Sequence, residues 1–306
     1  MVEQKINLVS GVQLWQWRNR AIAQAIADNI PVAEIDWLLQ EIAGLERLSL
    51  RLNSFKDQAE IVMALSLEEL EHFWQRRLND RLPVQYIAGS TPWRHFRLKV
   101  SSAVLIPRPE TECLIDLALM AATKRIKSQL QQGQWVDLGT GSGAIALGLA
   151  EALPQATIHA VDYSPEALAI AQENADNLGL APRIKFYQGS WWQPLAAMKG
   201  QFSGMVSNPP YIPSYIVPTL QAEVVNHEPH LALDGGVDGL DDIRQLIEVS
   251  PSYLQPGGVW LIEMMAGQAE AVTMLLEKQG SYENIQVHKD LEGVERFALA
   301  YAKHNL

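Results

Sequence analysis

Apolar side chains recur at helical spacing through the first 80 residues of this chain. Ile35, Leu38 and Ile42 fall on one face of a helix, which is the pattern of an amphipathic segment. The residues 66–69, with the sequence SLEE, have the spacing of a capping box, in which a serine and a glutamate three residues later close the first turn of a helix. The pattern predicts a small N-terminal bundle of four or five helices over residues 1–82.

Residues 83–107 change from helical spacing to alternation. Phe96, Leu98 and Val100 alternate with basic residues, as expected for a half-buried strand. The apolar run 104–106 has the composition of a partner strand. We therefore predict a β-hairpin that links the helical bundle to the rest of the chain.

From residue 108 to residue 306 the pattern alternates between helices and strands. The predicted helices include 109–131, 144–153 and 164–177. The predicted strands are 135–138, 157–161, 184–187, 202–207, 259–263 and 297–301. Such alternation predicts an α/β domain with a doubly wound, mostly parallel sheet, which binds ligands at the carboxyl ends of its strands.

Composition narrows the class of protein. The formal net charge of −11 disfavours a protein that holds nucleic acid by neutralising phosphates. Cys113 is the only cysteine, which excludes disulfides within the chain and zinc sites built from cysteines. The seven histidines have no ligand spacing, so we expect no metal site. With no signal peptide or long apolar run, the sequence predicts a cytoplasmic protein without a membrane span.

Basic residues nevertheless concentrate between Arg76 and Arg108. One interpretation is a solvated face followed by a linker. The other is a docking surface for a polyanion or an acidic partner. Sequence alone leaves both open.

A glycine-rich loop follows the first predicted strand of the α/β domain. It consists of Gly139, Thr140, Gly141, Ser142 and Gly143. Glycines there allow a ligand to approach the main chain closely. Asp162 ends the next predicted strand, where a carboxylate can accept hydrogen bonds from both hydroxyls of a ribose. This arrangement predicts a nucleoside cofactor, and since Ala144 occupies the position of a third glycine, the spacing alone does not exclude NAD.

Asn208, Pro209, Pro210 and Tyr211 follow the fourth predicted strand. Proline has no N–H group and restricts the residue before it to extended geometry. The turn therefore presents carbonyl oxygens without competing backbone donors, and Asn208 adds a side-chain carbonyl. Two fixed acceptors suit an NH2 group that has two hydrogens to donate.

Methylation is the reaction that such a turn would favour. Holding both hydrogens of a planar amino group fixes the nitrogen against an electrophile and stabilises the positive charge that develops on it. Tyr211 offers a flat face for a planar acceptor or for the sulfonium of S-adenosylmethionine. The motif itself indicates a planar amino nitrogen and does not separate an amide from a nucleic-acid base.

Together these features resemble the HemK/PrmC family of S-adenosylmethionine-dependent methyltransferases, the glutamine N5-methyltransferases of peptide chain release factors. The resemblance covers residues from about 83 to the C-terminus. It is carried by IPRPETE at 106–112, DLGTGSGAIAL at 137–147, NPPY at 208–211, EP at 228–229, AL at 232–233, GGVDGL at 235–240, and DLEG at 290–293 with Arg296. It implies a Rossmann-like class I methyltransferase domain at 108–306, preceded by a hairpin at 83–107 and a helical bundle at 1–82 that docks the partner.

The resemblance also implies roles for particular residues. The glycine loop 139–143 and Asp162 would bind S-adenosylmethionine, with Thr111 near its amino-acid end and Trp191 stacked on its adenine. Asn208 would contact both cofactor and substrate. The catalytic residues would be Asn208, Pro209 and Tyr211, and all of 208–211 would bind the target. That target would be the glutamine of the Gly-Gly-Gln motif in class 1 release factors.

One departure from the family pattern concerns the adenine. Ser190 stands where the family often has a carboxylate that could bond the adenine amino group. We therefore expect altered cofactor contacts rather than loss of binding. Three alternative functions remain: methylation of a glutamine in a ribosomal protein, methylation of adenine or cytosine amino groups, and a cofactor-binding scaffold without chemistry.

Overall fold

Residues 7–90, together with Gln221–His227, form a helical unit. The computed structural model describes residues 7–124 and 130–303. The helices of this unit are α1 Gly11–Ala27, α2 Ala33–Ala43, α3 Arg47–Leu52, α4 Leu67–Asp80, α5 Val84–Ala88 and, later in the chain, α9 Ala222–His227. Two short antiparallel strands, β1 Asn7–Val9 and β2 Ile61–Met63, complete it.

The capping box predicted at Ser66 is confirmed. The Ser66 hydroxyl accepts a hydrogen bond from the Glu69 amide at 3.2 Å, and the Glu69 carboxylate accepts one from the Ser66 amide at 2.8 Å. These bonds satisfy backbone donors that the first turn of α4 would otherwise leave free. In the core of the unit Trp17 meets Trp74 edge to face, with ring centroids 6.1 Å apart. Burial of such large rings supplies much of the driving force for packing the helices.

A buried arginine ties α9 to the rest of the helical unit. The side chain of Arg77, on α4, is only 5% exposed. Its guanidinium donates two hydrogen bonds to Glu34, at 2.7 and 2.9 Å, and one to Glu223 at 2.7 Å. Charge-assisted, partly bidentate bonds of this kind offset the cost of burying the arginine.

The second unit contains a seven-stranded sheet. Its strands are β5 Gln134–Leu138, β6 Thr157–Asp162, β7 Ile184–Gln188, β8 Phe202–Ser207, β9 Leu254–Glu263, β10 Tyr282–Lys289 and β11 Glu295–Ala302. Their order across the sheet is β7-β6-β5-β8-β9-β11-β10. The neighbours from β7 to β9 run parallel, and β11 runs antiparallel to both β9 and β10. The predicted α/β architecture, doubly wound and mostly parallel, is confirmed.

α-Helices flank this sheet. They are α6 Cys113–Lys124, α7 Ala144–Ala152, α8 Pro165–Asn177, α10 Asp241–Val249 and α11 Ala269–Gln279. No helix within the described ranges, which omit 1–6, 125–129 and 304–306, has the length and apolarity needed to cross a membrane.

The register of the central strands explains where the site lies. Leu138 pairs with Val161 on one side and with Ser207 on the other. The residues that follow these three, Gly139, Asp162 and Asn208, therefore come to the same edge of the sheet. The strand order also reverses there, because β6 and β8 lie on opposite sides of β5, and such a reversal opens a crevice for a ligand.

Two local predictions need correction, and one strand was missed. The predicted strand at 104–106 is wrong, because β4 Phe96–Lys99 pairs with β3 Ser90–Trp93. The predicted helix 109–131 begins only at Cys113, after a 3₁₀ turn, and 125–129 lie outside the described residues. Strand β10 was not predicted.

The basic stretch from Arg76 to Arg108 makes many contacts with carboxylates. Its ion pairs are Arg76–Asp80, Arg77–Glu34, Arg77–Glu223, Arg94–Asp116, Lys99–Glu173 and Arg108–Glu228. Charges neutralised within the chain contribute little to attracting a polyanion. The pairing disfavours a docking surface for a polyanion.

Candidate active site

The glycine loop is shaped by a buried carboxylate at the end of β5. Asp137 accepts a hydrogen bond from the Thr140 hydroxyl at 2.6 Å and another from the Ala146 amide at 3.0 Å. Gly139 and Gly143 have φ values of +78° and +85°, which side chains rarely adopt. A Cβ on Gly143 would also lie 3.1 Å from that of Ala171 on α8. The loop therefore requires glycine for both its conformation and its packing.

Asp162 binds this loop from the end of β6. Its Oδ2 accepts a hydrogen bond from the Gly141 amide at 2.8 Å, and its Oδ1 accepts one from the Ser164 amide at 2.9 Å. Burial raises the pKa of Asp162, and these backbone amides partly oppose the rise. Each carboxylate oxygen has two lone pairs, so both can accept a further hydrogen bond from a ligand.

A cavity of about 370 Å³ opens beside the glycine loop. The predicted site residues that line it are Thr111, Gly139, Thr140, Gly141, Ser142, Asp162, Trp191, Asn208 and Pro210. Gly143, Pro209 and Tyr211 are outside the lining. The structure thus brings most of the predicted residues, which are far apart in sequence, around one space. Their binding roles remain predictions.

The side-chain amide of Asn208 is held in one orientation. Its Nδ2 donates a hydrogen bond to Thr111 Oγ1 at 3.2 Å, and Thr111 Oγ1 donates its own hydrogen to Glu263 Oε2 at 2.7 Å. The hydroxyl hydrogen of Thr111 points to the Glu263 carboxylate, so the Thr111 oxygen can only accept a hydrogen bond from Asn208. The amide atom that faces Thr111 must therefore be the nitrogen. Asn208 Oδ1 is then the acceptor of the amide, with no donor to it among the described residues, and Asn208 lines the cavity.

Glu263, at the end of β9, joins this network to Tyr211. The Tyr211 hydroxyl donates a hydrogen bond to Glu263 Oε1 at 2.9 Å. Burial raises the pKa of Glu263, while the two hydroxyls and the charge of Arg296 favour its ionised form. Burial, together with the neighbouring Glu263, raises the pKa of Tyr211 well above its usual range. Tyr211 is therefore a neutral donor whose ring is fixed by its hydroxyl.

Trp191 lines the cavity beside the glycine loop. Its φ of +49° is uncommon for a residue with a side chain. A Cβ on Gly139 would lie 3.4 Å from its ring. The indole Nε1 donates a hydrogen bond to Asp242 Oδ1 at 3.2 Å, and both Asp242 and Ser190 line the cavity. The indole is thus fixed by its backbone and by one carboxylate.

Comparisons with known proteins agree with this geometry. A sequence family described as a methyltransferase domain matches residues 131–298. A release factor glutamine methyltransferase of Synechocystis sp. is 52% identical over 95% of this chain and 97% of that protein. Another from Thermosynechococcus vestitus is 48% identical over 94% of this chain and 96% of that protein. This chain belongs to the release factor glutamine methyltransferase family.

The fold of this family member also matches a solved methyltransferase. The crystal structure of the hMettl16 catalytic domain in complex with MAT2A 3'UTR hairpin 6 has a TM-score of 0.54 and 15% sequence identity. The match covers 78% of this chain and 81% of that one. At this identity the likeness concerns the fold alone. It agrees with the class I, Rossmann-like methyltransferase fold that the sequence predicts. The cofactor, S-adenosylmethionine, follows from the family match and not from this likeness.

Sequence patterns missed two carboxylates of this methyltransferase site. Glu263 supports Asn208 through Thr111, and Asp242 bonds Trp191 within the cavity lining. A weak signal existed for Glu263, because it ends a predicted strand of a sheet whose ligands bind at the carboxyl ends. Asp242 had none, since only the fold brings α10 to Trp191.

Proposed function

We propose that this protein transfers the methyl group of S-adenosylmethionine to the side-chain amide nitrogen of the glutamine in the Gly-Gly-Gln motif of class 1 peptide chain release factors. The observation that carries the proposal is the fixed amide of Asn208, whose Oδ1 remains as an acceptor at the cavity. An acceptor of this kind suits a glutamine NH2 group. The relatives named as release factor glutamine methyltransferases favour this target over a ribosomal protein or a nucleic-acid base.

The residues of the cavity fit S-adenosylmethionine. Asp162 has acceptor capacity for ribose hydroxyls, the glycine loop lets a ligand reach the main chain, and Trp191 offers a flat surface for adenine. We assign Thr111 to the amino-acid end, beside Asn208. When bound, this cofactor supplies a methyl group on a positively charged sulfur.

In this proposal Asn208 and Pro209 orient the glutamine. The Asn208 side-chain oxygen and the main-chain oxygen of Pro209 accept the two hydrogens of the glutamine NH2 group. Fixed acceptors would stabilise the positive charge that develops on the nitrogen as its bond to the methyl carbon forms and the bond between that carbon and the sulfonium sulfur breaks, and the proton would leave afterwards. No general base has to act first.

Glu263 is a positioning residue in this scheme. It does not line the cavity, and both of its oxygens already accept hydrogen bonds, from Thr111 and from Tyr211. It acts by keeping the Thr111 hydroxyl turned away from Asn208, so that Asn208 directs its nitrogen to Thr111 and its oxygen to the substrate. Tyr211 packs its fixed ring against the planar amide of the substrate.

The helical unit is proposed to dock the release factor, in keeping with the domain boundaries that the sequence predicts. A single cysteine, Cys113, and a translation factor as partner support a cytoplasmic location. The formal net charge of −11 and the paired basic stretch support a protein partner over direct binding to nucleic acid.

A methylation assay with matched substrates tests the proposal. The full-length protein is incubated with labelled S-adenosylmethionine and one of four substrates: a class 1 release factor, the same factor with alanine in place of the Gly-Gly-Gln glutamine, ribosomes, or duplex DNA. We expect label on the intact factor alone, mapped to that glutamine by mass spectrometry. Label that persists on the alanine variant, or that appears only on ribosomes or DNA, would refute the proposed target.

A further inference from the structure

Asp242 places a carboxylate in the cavity lining beside Trp191, whereas Ser190 has a hydroxyl where related proteins often have a carboxylate. Asp242 is the second residue of α10, and its Oδ1 accepts a hydrogen bond from Trp191 Nε1 at 3.2 Å. Asp242, Trp191 and Ser190 all line the cavity. The neighbouring Asp241 is exposed and does not line it. The sequence thus places one of two adjacent carboxylates within reach of a ligand.

We propose that Asp242 accepts a hydrogen bond from the exocyclic amino group of the adenine of S-adenosylmethionine. In this chain Asp242 would supply the negative charge that a carboxylate at position 190 would otherwise provide. This inference deepens the proposed function and rests on its use of S-adenosylmethionine.

The arrangement of the cavity determines which end of the cofactor meets Asp242. Asp162, at the end of β6, lies at the ribose position that the Rossmann-like fold assigns to such a carboxylate. Asn208 and Thr111, which bond each other, lie at the end where methyl transfer takes place. Trp191, which packs beside Gly139, is left for the base. Asp242 is bonded to Trp191, and so it lies at the base end.

The bond between Asp242 and Trp191 places this carboxylate where it can accept a hydrogen bond from the edge of a stacked base. An indole N–H lies in the plane of its ring, so the acceptor stands at the ring edge. A base that stacks on the indole presents its own edge to the same side. The carboxylate keeps unused lone pairs after accepting from Trp191, and an amino group donates to a carboxylate more strongly than to the neutral hydroxyl of Ser190.

A pair of ligands that differ only in the amino group tests the inference directly. Binding of S-adenosylhomocysteine, and of its analogue with hydrogen at position 6 of the purine, is measured by calorimetry. In the unaltered protein we expect the analogue to bind about tenfold more weakly or worse, which is the loss typical of a hydrogen bond to a charged group. Equal binding of the two ligands would overturn the inference.

The variant Asp242→Asn separates contact with adenine from support of Trp191. Its amide oxygen can still accept from the indole, which leaves an NH2 group toward the base. We therefore expect the two ligands to bind Asp242→Asn within about twofold of each other, while the control Asp241→Asn keeps the full difference. Full discrimination in Asp242→Asn would show that Asp242 only supports Trp191, or that another lining group such as Gln245 reads the base.

Moving the charge gives a second, independent test. We expect Ser190→Asp, introduced into Asp242→Asn, to restore most of the roughly tenfold preference for the adenine ligand. A double variant that discriminates no better than Asp242→Asn would count against the two positions being equivalent. Both tests measure binding constants, so their results apply even if the release factor is not methylated. Conversely, methylation of the factor would not by itself support the role of Asp242.

Discussion

Each unit of the molecule contains a network around a buried ionisable side chain, and the two networks stabilise that side chain in different ways. In the helical unit Arg77 carries a charge that two carboxylates, Glu34 and Glu223, neutralise directly. In the sheet unit Glu263 receives its hydrogen bonds from two neutral hydroxyls, those of Thr111 and Tyr211. The first network is balanced by opposite charge, whereas the second is balanced mostly by neutral donors.

The difference shows what each network is for. Arg77 joins elements far apart in sequence, and none of its partners lines the cavity, so its contribution is to the fold. Glu263 reaches the site through Thr111, whose hydroxyl sets the orientation of the Asn208 amide. A hydroxyl whose hydrogen is donated to a carboxylate can only accept a second bond, and it thereby fixes which atom of the Asn208 amide is the donor. We therefore expect changes to the two networks to affect different measurements.

The largest effect is expected from breaking the ion pairs of the helical unit. Arg77→Ala removes the guanidinium that bonds both Glu34 and Glu223, and breaking a buried pair typically costs about 3–5 kcal/mol. The free energy of unfolding of the full chain, measured with urea, should fall by that amount. Arg76→Ala, on the exposed side of the same helix, should change it by less than about 0.5 kcal/mol. Equal effects of the two variants would show that Arg77 is no more important than a surface residue.

Asp137 is another buried carboxyl group whose hydrogen-bond donors are neutral, and we expect it to make the free energy of unfolding depend on pH. Burial raises the pKa of Asp137 from 3.8 to about 7, and its Oδ1 has no hydrogen-bond partner among the described residues. As pH rises from 4 to 7, the unfolded chain loses this proton before the folded chain does. The carboxyl's contribution to stability is therefore present at pH 4 and is lost as pH passes 7, a change on the order of 2–4 kcal/mol.

Asp137→Asn isolates that contribution, because its amide oxygen can accept the bonds from Thr140 and Ala146 but cannot ionise. Relative to the unaltered protein, the variant should gain stability progressively between pH 4 and pH 7 and keep a constant advantage above that range, measured by urea unfolding at each pH. The exposed Asp176→Asn provides the control and should show no such gain. A difference between Asp137→Asn and the unaltered protein that is constant with pH would show that Asp137 is ionised throughout.

In the sheet unit the largest effect on turnover is expected at Asn208. Asn208→Ala removes the side-chain acceptor for the substrate NH2 group, and losing one preorganised polar contact costs about 10²-fold in turnover. Binding of S-adenosylmethionine, measured by calorimetry, should change much less, and the free energy of unfolding should be nearly unchanged. Near-normal methylation of the release factor by this variant would remove Asn208 from the proposed mechanism.

The sequence could predict the parts of the site that depend on neighbours along the chain. The glycine loop and Asp162 end consecutive parallel strands, so their meeting at 2.8 Å follows from the architecture. The turn at Asn208 follows β8, which pairs with β5 in register. Motifs at strand ends are predictable because the sheet brings all such ends to one edge.

Other parts depend on contacts that local patterns do not contain. Asp242 meets Trp191 across 51 residues, and Glu263 meets Tyr211 across 52. Strand β10 escaped prediction because the register shifts between Glu283 and Gln286, where Asn284 has a φ of +51°, and the shift breaks the alternation. The apolar run 104–106 is a loop whose first two residues line the cavity, so burial rather than strand pairing explains its composition.

The smallest effect, and the one that tests the comparison most closely, is expected at Thr111. Thr111→Val keeps the shape of the side chain but removes both the donor to Glu263 and the acceptor for Asn208. Asn208 then loses the bond that fixes its amide, and turnover should fall about tenfold, the cost of roughly one hydrogen bond to a charged group. Thr111→Ser retains the hydroxyl and should keep most of the activity. Equal losses in the two variants would mean that the methyl group rather than the hydroxyl of Thr111 matters, and the network of neutral donors would then be structural, like that of Arg77.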